Sequence, residues 1–187
     1  MPDDGAGADG RVVSVAALAR SLATRVRHAT AAGARIVVLL DGRSGTGKTT
    51  LGDALAEELD AQLVHLDDVY PGWDGLRAAA DAVVTDVLGP PSGHRRWDWD
   101  ASAPAGWTAV DPDLPLVVEG CGALSRASAP LAGLRVWLEA DDDERWRRAI
   151  GRDGDVFARE WDRWAAQERA FIAAEDPVRL ADVVIRT

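Results

Sequence analysis

One stretch constrains this chain more than any other: Gly42-Arg43-Ser44-Gly45-Thr46-Gly47-Lys48-Thr49. It meets the pattern G-x-x-x-x-G-K-[ST] at every position, with a strand expected before it and a helix after it. Ile36-Val37-Val38-Leu39-Leu40 is a short apolar run rich in β-branched residues, as a buried parallel strand requires. Leu51, Leu55 and Leu59 then recur at helical spacing. Gly42, Gly45 and Gly47 admit backbone angles closed to other residues and keep side chains clear of a bound anion. The loop N–H groups and the helix N-terminus would point at that anion. Lys48 is expected to reach the β- and γ-phosphates, and the Thr49 hydroxyl to coordinate Mg2+. The candidate nucleotide-binding set is Gly42, Arg43, Ser44, Gly45, Thr46, Gly47, Lys48, Thr49 and Thr50. The bland alternative is a Gly-rich turn that caps a helix and binds nothing. Of the 21 basic residues, 20 are arginine, a bias that coding composition would explain, yet the one lysine stands where a phosphate-binding loop needs it.

Along the rest of the chain, short apolar segments alternate with amphipathic ones. Ser14 is a candidate N-cap for a helix carrying Val15, Leu18, Leu22 and Val26 and ending near Ala32-Gly33. Leu63-Val64-His65-Leu66, Leu116-Val117-Val118-Glu119, Leu134-Arg135-Val136-Trp137-Leu138 and Ala181-Asp182-Val183-Val184-Ile185 read as strands. Leu76, Ala80, Val83, Val84 and Val87 mark a helix stopped by Gly89-Pro90-Pro91. Residues 92–113 read as irregular, and residues 141–152 and 155–174 as helices broken at Asp153-Gly154. This alternation implies an α/β fold: a P-loop NTPase three-layer sandwich, with about five parallel strands and helices on both faces. Residues 1–10 read as a disordered tail and 11–187 as a single domain, with an acceptor-binding insertion around 71–112 and a lid around 145–156. In such a sheet, ligands sit beyond the strand C-termini, where Asp41, Asp67-Asp68 and Glu119 fall together.

A net charge of −10 disfavours nucleic acid as a partner, because phosphate backbones are held by basic patches. No apolar run reaches the roughly 18 residues of a membrane span. The acidic, Gly-rich start is unlike a signal peptide, so the cytoplasm is the expected compartment. A lone cysteine, Cys121, rules out an intrachain disulfide framework and reads as a small buried residue. His65, inside a strand, reads as a core histidine.

The class of loop narrows by elimination. A guanine-reading Asn-Lys-x-Asp motif would need a second lysine, and no Leu-Ser-Gly-Gly-Gln signature is present. A motor ATPase would end an apolar strand in Asp-Glu, whereas Leu116-Val117-Val118 ends in Glu119-Gly120. Compact small-molecule kinases remain. Here the chain resembles the uridine kinase-like family of P-loop kinases, through Asp41–Thr49, Leu66-Asp67-Asp68-Val69-Tyr70, Val117-Val118-Glu119-Gly120, the Arg-rich stretch from Glu144 to Gly154, and Ala181–Ile185. These pieces are in order across residues 35–185; the segment from 89 to 112 departs from the family.

The resemblance implies transfer of the ATP γ-phosphate to a small-molecule hydroxyl, with Mg2+, Lys48 on the phosphates and Asp67 as the base. A carboxylate at a strand end facing the γ-phosphate can accept the hydroxyl proton, which supports the same role on physical grounds. Asp68 could exchange roles with Asp67, and the pair could be only a solvated turn. Glu119 is expected near Mg2+ with Thr49 and Asp67, and Asp41 more weakly so. Asp141–Arg145, Asp143–Arg147 and Glu144–Arg148 are acid-before-base pairs at (i, i+4), which would account for Arg145 and Arg147 as exposed helix partners. Arg152, four residues after Arg148, is left unexplained, so Arg148 and Arg152 are the candidate lid arginines.

Tyr70, Trp73, Arg96, Trp97 and Trp99 are the candidate acceptor contacts, with Arg95 and Asp98 beside them. Tryptophans that merely pack a loop are the alternative. Phe157, Trp161, Trp164 and Phe171 form a stripe at helical spacing and read as core. The acceptor could be a nucleoside, a nucleoside monophosphate, a sugar acid or an antibiotic hydroxyl, and the protein a monomer or homodimer. From a different class, a regulatory protein that holds ATP without turnover also fits.

Overall fold

The computed structural model describes residues 14–187, so the expected tail at 1–10 lies outside the described residues. Five parallel strands form the central sheet in the order β2-β5-β1-β6-β7. They are β1 (Val37–Gly42), β2 (Gln62–His65), β5 (Leu116–Glu119), β6 (Leu134–Glu139) and β7 (Val183–Arg186). Strand β1 is central, pairing Leu40 with Glu119 on one side and Asp41 with Trp137 on the other. Side chains alternate across it. Val37 and Leu39 enter one apolar cluster, and Val38 and Leu40 enter a second on the opposite face. Two buried faces explain why the strands are continuously apolar, and they require helices above and below.

Helix α1 (Val15–Ala29) starts where Ser14 accepts the Ala17 N–H at 3.2 Å, as an N-cap should. With α2 (Lys48–Leu59) it covers the Val38/Leu40 face, burying Leu22, Val26, Leu51 and Leu55. On the other face lie α3 (Leu76–Ala82) and the long α4 (Asp142–Glu175). The segment read as one helix through Val87 is α-helical only to Ala82 and widens to a π-turn over Val83–Val87. α5 (Pro177–Leu180) is a single turn before β7. No helix among the described residues is long and apolar enough to cross a membrane.

Two expectations are corrected. Residues 92–113 are not irregular: β3 (Gly93–Asp98) and β4 (Ala103–Ala109) pair as an antiparallel hairpin, with a register shift between Arg95 and Trp97. The shift breaks the alternation that would have announced the strands. The second strand also stops at His65, so Asp67 lies in a 3-10 turn over Leu66–Asp68. The break expected at Asp153-Gly154 is present, since Gly154 adopts φ 65°, ψ −151° within α4.

Candidate active site

The glycines of the loop are needed for definite reasons. Gly45 has φ 83°, and a Cβ there would run into the Arg145 backbone. Gly47 has φ 86° and hands the chain to α2 as its N-cap. The result is a cavity of about 340 Å3, whose wall includes Ser44, Gly45, Gly47, Lys48, Thr49 and Thr50 from the loop. Gly42, Arg43 and Thr46 do not line it. Gly42 packs against Leu138, the Thr46 hydroxyl donates to the Arg43 carbonyl at 2.8 Å, and the Arg43 guanidinium turns to Glu168 and Asp142, each at 3.1 Å.

Lys48 is buried, its ammonium donating to the Arg43 carbonyl at 3.1 Å and lying 3.6 Å from Cys121 Sγ. Burial alone would pull its pKa down, but the negative groups around it outweigh that and hold it above its ordinary value. Cys121 itself is pushed up to about 12 by burial and stays a neutral thiol, so the carboxylates of Glu119 and Glu168 supply most of the field.

Those carboxylates divide into distinct roles. Asp41 is not a metal candidate. Its carboxyl is buried and accepts N–H groups from Gly42 at 2.6 Å, Leu124 at 2.8 Å and Gly122 at 3.1 Å, tying the loop's start to the segment after β5. Burial pushes it up to about 7 despite those bonds. Glu119 faces the loop cavity, where it accepts the Thr49 hydroxyl at 3.3 Å. His65 is not a core histidine: it is partly exposed and meets Glu119 through Nδ1 at 2.7 Å, a bond that raises its pKa. Thr49, Glu119 and Asp67 line one cavity and present only oxygen, the donor type a hard cation takes. Among the described residues, no three acidic, His or Cys groups cluster tightly enough to hold a metal alone. A cation here would therefore need phosphate oxygens to complete its shell, as Mg2+ commonly does.

Sequence reasoning missed two charged residues beneath the loop. Glu168, on α4, accepts the Ser44 N–H at 2.7 Å and the Arg43 Nε at 3.1 Å while only 3% exposed. Arg145 is 2% exposed, donates to the Ser44 carbonyl at 3.1 Å and Asp142 at 2.5 Å, and lies 4.0 Å from Glu168. The expected pairs Asp141–Arg145 and Asp143–Arg147 are therefore not made; Arg147 pairs with Glu144, three residues back. Glu144–Arg148 does form, at 2.6 Å. A signal for Glu168 was present: it falls in phase with the stripe Phe157, Trp161, Trp164 and Phe171, and so on a buried face.

A second cavity, of about 380 Å3, adjoins the first, and Ser44, Asp67 and Arg152 line both. Asp67 therefore stands on the wall between them. Packing around it and the nearby Glu119 raise the carboxyl's pKa, with Arg152 and Lys48 pulling the other way, while the side chain itself stays 61% exposed. Arg152 reaches within 3.8 Å of Asp67 from α4, two residues before the break at Gly154. Arg148 lines the loop cavity only and donates to the Thr187 hydroxyl at 3.0 Å. Tyr70, Trp73 and Trp99 line the second cavity; Trp99 donates to the Asp67 carbonyl at 2.8 Å, and Tyr70 to the Cys121 carbonyl at 2.9 Å. Arg96 and Trp97 do not reach it. They line a neighbouring recess of about 300 Å3 with Asp68, and Trp99 and Asp100 border both spaces. Phe157 and Trp164, expected only as core, wall the cavity as well.

No family model and no curated protein matches this sequence. Solved structures do match. A provisionally assigned fructose transport system kinase from Silicibacter sp. TM1040 superposes with a TM-score of 0.63 at 20% identity, over 92% of this chain and 99% of that one. A provisionally assigned uridine kinase from Bacillus stearothermophilus gives 0.59 at 17%, over 90% and 97%. The fold is that of the P-loop kinases. Shikimate kinase from Bacteroides thetaiotaomicron, at 0.50 and 17% over 82% and 87%, shares this P-loop kinase fold as well. At these identities the likeness extends to the fold alone.

Proposed function

We propose that this P-loop protein is an ATP-dependent phosphotransferase that moves the γ-phosphate of ATP to a hydroxyl of a small molecule. The observation that carries this reading is the shared wall: Asp67 and Arg152 line both the loop cavity and the aromatic cavity beside it. A carboxylate that borders both spaces can face an acceptor in one and the phosphate chain in the other.

In this reading the loop amides and Lys48 hold the phosphate chain. Thr49, with Glu119 and Asp67 nearby, would hold Mg2+, whose charge offsets that of the phosphates. The recess of about 600 Å3 bordered by Arg43, Thr46 and Thr187 leaves room for the rest of the nucleotide. The acceptor occupies the second cavity. Its hydroxyl oxygen forms the new bond to the γ-phosphorus, its proton passes to Asp67, and the bond to the β,γ-bridging oxygen breaks to release ADP. Asp67 borders both cavities and so is placed to take that proton. Arg152 and Arg148 neutralise charge on the transferring group, with Gly154 as the hinge on which Arg152 approaches.

Asp67→Asn tests the proposal. ADP release in the presence of an acceptor that the wild type phosphorylates should fall by about 10²- to 10⁴-fold while ATP affinity stays within about threefold. If no hydroxyl compound raises ADP release above the rate of protein and Mg-ATP alone, the reading fails and nucleotide holding without turnover replaces it.

A further inference from the structure

The aromatic cavity differs from the loop cavity in charge. Three carboxylates, Asp67, Asp100 and Asp153, line it against one guanidinium, that of Arg152. That guanidinium is engaged, by Asp153 at 2.7 and 2.8 Å and by Asp67 at 3.8 Å. Asp100 makes no ion pair and accepts no side-chain hydrogen bond among the described residues. Among the described residues, no unengaged cation lines this cavity to offset an anionic acceptor; Lys48 and Arg148 line the loop cavity, and Arg96 the recess next to it. A nucleoside monophosphate or sugar acid would meet like charge there.

The ring geometry bears on the remaining candidates. Trp73 meets Trp99 at 55° (centroids 4.9 Å apart) and Trp164 at 83° (6.3 Å). Its only parallel neighbour, Phe157, is 5.6 Å away. A planar base intercalated there would need roughly 7 Å, two carbon contact distances. No pair of rings thus offers a slot for a flat ligand. Trp73, Trp99, Phe157 and Trp164 instead bound the cavity with aromatic surface from several directions, and aromatic surface beside carboxylates attracts a rounded cation.

We propose that the acceptor is an amino alcohol, a small molecule carrying a protonated or quaternary amine close to the hydroxyl that receives the phosphate. The ammonium lies against the faces of Trp73 and Trp99 with Asp100 as its counter-charge, and the hydroxyl turns toward Asp67. Trp99 links the two functions, since its indole N–H holds the Asp67 carbonyl while its ring faces the cavity. This assignment rests on the kinase reading for the fate of the hydroxyl, but not for the ammonium site.

The two are separated by measuring binding and turnover on the full chain. Choline and its neutral isostere 3,3-dimethylbutan-1-ol are titrated by calorimetry in the presence of Mg-ADP. Choline should bind about 5- to 30-fold more tightly, the range of a cation–π contact with a nearby carboxylate. Asp100→Asn, at an exposed turn where folding is not at stake, should bring that ratio close to one, and Trp99→Leu should lower it several-fold. Equal affinities in the wild type, or a ratio unmoved by Asp100→Asn, overturn the proposal. A panel of amino alcohols, neutral nucleosides and sugar acids is then offered with Mg-ATP. Release of ADP with uridine or gluconate but with no amino alcohol overturns the proposal and keeps the kinase. Preferential ammonium binding with no turnover of any compound keeps the ammonium site and overturns the kinase.

Discussion

The two cavities that meet at Asp67 are built differently. The loop cavity takes half of its lining residues from one run of chain, Ser44 to Thr50, and its shape follows from left-handed angles at Gly45 and Gly47. The aromatic cavity takes its wall from segments around Asp67–Trp73, Trp99-Asp100, Arg152–Phe157 and Trp164, brought together by the hairpin and by α4. A backbone cradle recognises what every nucleotide shares. A side-chain box recognises whatever its rings and charges select. The first cavity therefore tolerates almost no substitution, while the second can change ligand without disturbing the first.

The largest test of that contrast lies beneath the cradle. Glu168→Ala takes the acceptor from the Ser44 N–H and the Arg43 Nε and removes one of the two carboxylates beside buried Arg145, and should lower stability by about 3–5 kcal/mol in chemical denaturation. A loss below about 1 kcal/mol would mean that the loop holds its shape without α4. Asp41 gives a pH test of the same floor. Its folded pKa, about 7, is raised above the unfolded value of 3.8, so its neutral form favours folding at low pH. That contribution is lost as pH rises from about 4 to about 7, where the unfolded chain has released the proton and the folded one has not. Relative to Asp41→Asn, the wild type should lose of the order of 2–4 kcal/mol over this window. Parallel stability curves for the two proteins would show Asp41 ionising normally.

Lys48→Ala should weaken ATP binding by roughly 10- to 100-fold in calorimetry, the loss of one charged hydrogen-bonding group. It should leave choline affinity in the neighbouring cavity within a few-fold, because Lys48 does not line that space. Equal losses for both ligands would break the division into two cavities. The smallest effect belongs to Arg147→Ala, two residues from the buried Arg145. Arg147 holds only Glu144, in the open, so its loss should leave both the unfolding midpoint and ATP affinity within experimental error.

Legibility followed the same division. Local signals at Ser14, at Gly42–Lys48 and in the apolar runs of β1, β5 and β6 told their roles within a few residues, so element order and sheet type could be read directly. The hairpin was missed because its shift at Arg95/Trp97 interrupts the period of two. Arg145 was misjudged because a solvent-facing (i, i+4) pair and a buried strut beneath the loop look alike along one helix. Glu168 could have been found from its phase on the Trp164 stripe.

By itself, the sequence determined the phosphate-binding loop, the parallel sheet that carries it and the carboxylate, Glu119, that ends β5. Each of these depends on backbone angles or on periodicity within a dozen residues. Only the tertiary structure decided that Asp41 serves as a strut rather than a metal ligand, that Arg152 rather than Arg148 approaches Asp67, and that Trp99 faces the second cavity while Trp97 does not. The reason is physical: charge and burial at a site are set by which distant segments pack together, and spacing along the chain carries almost none of that information.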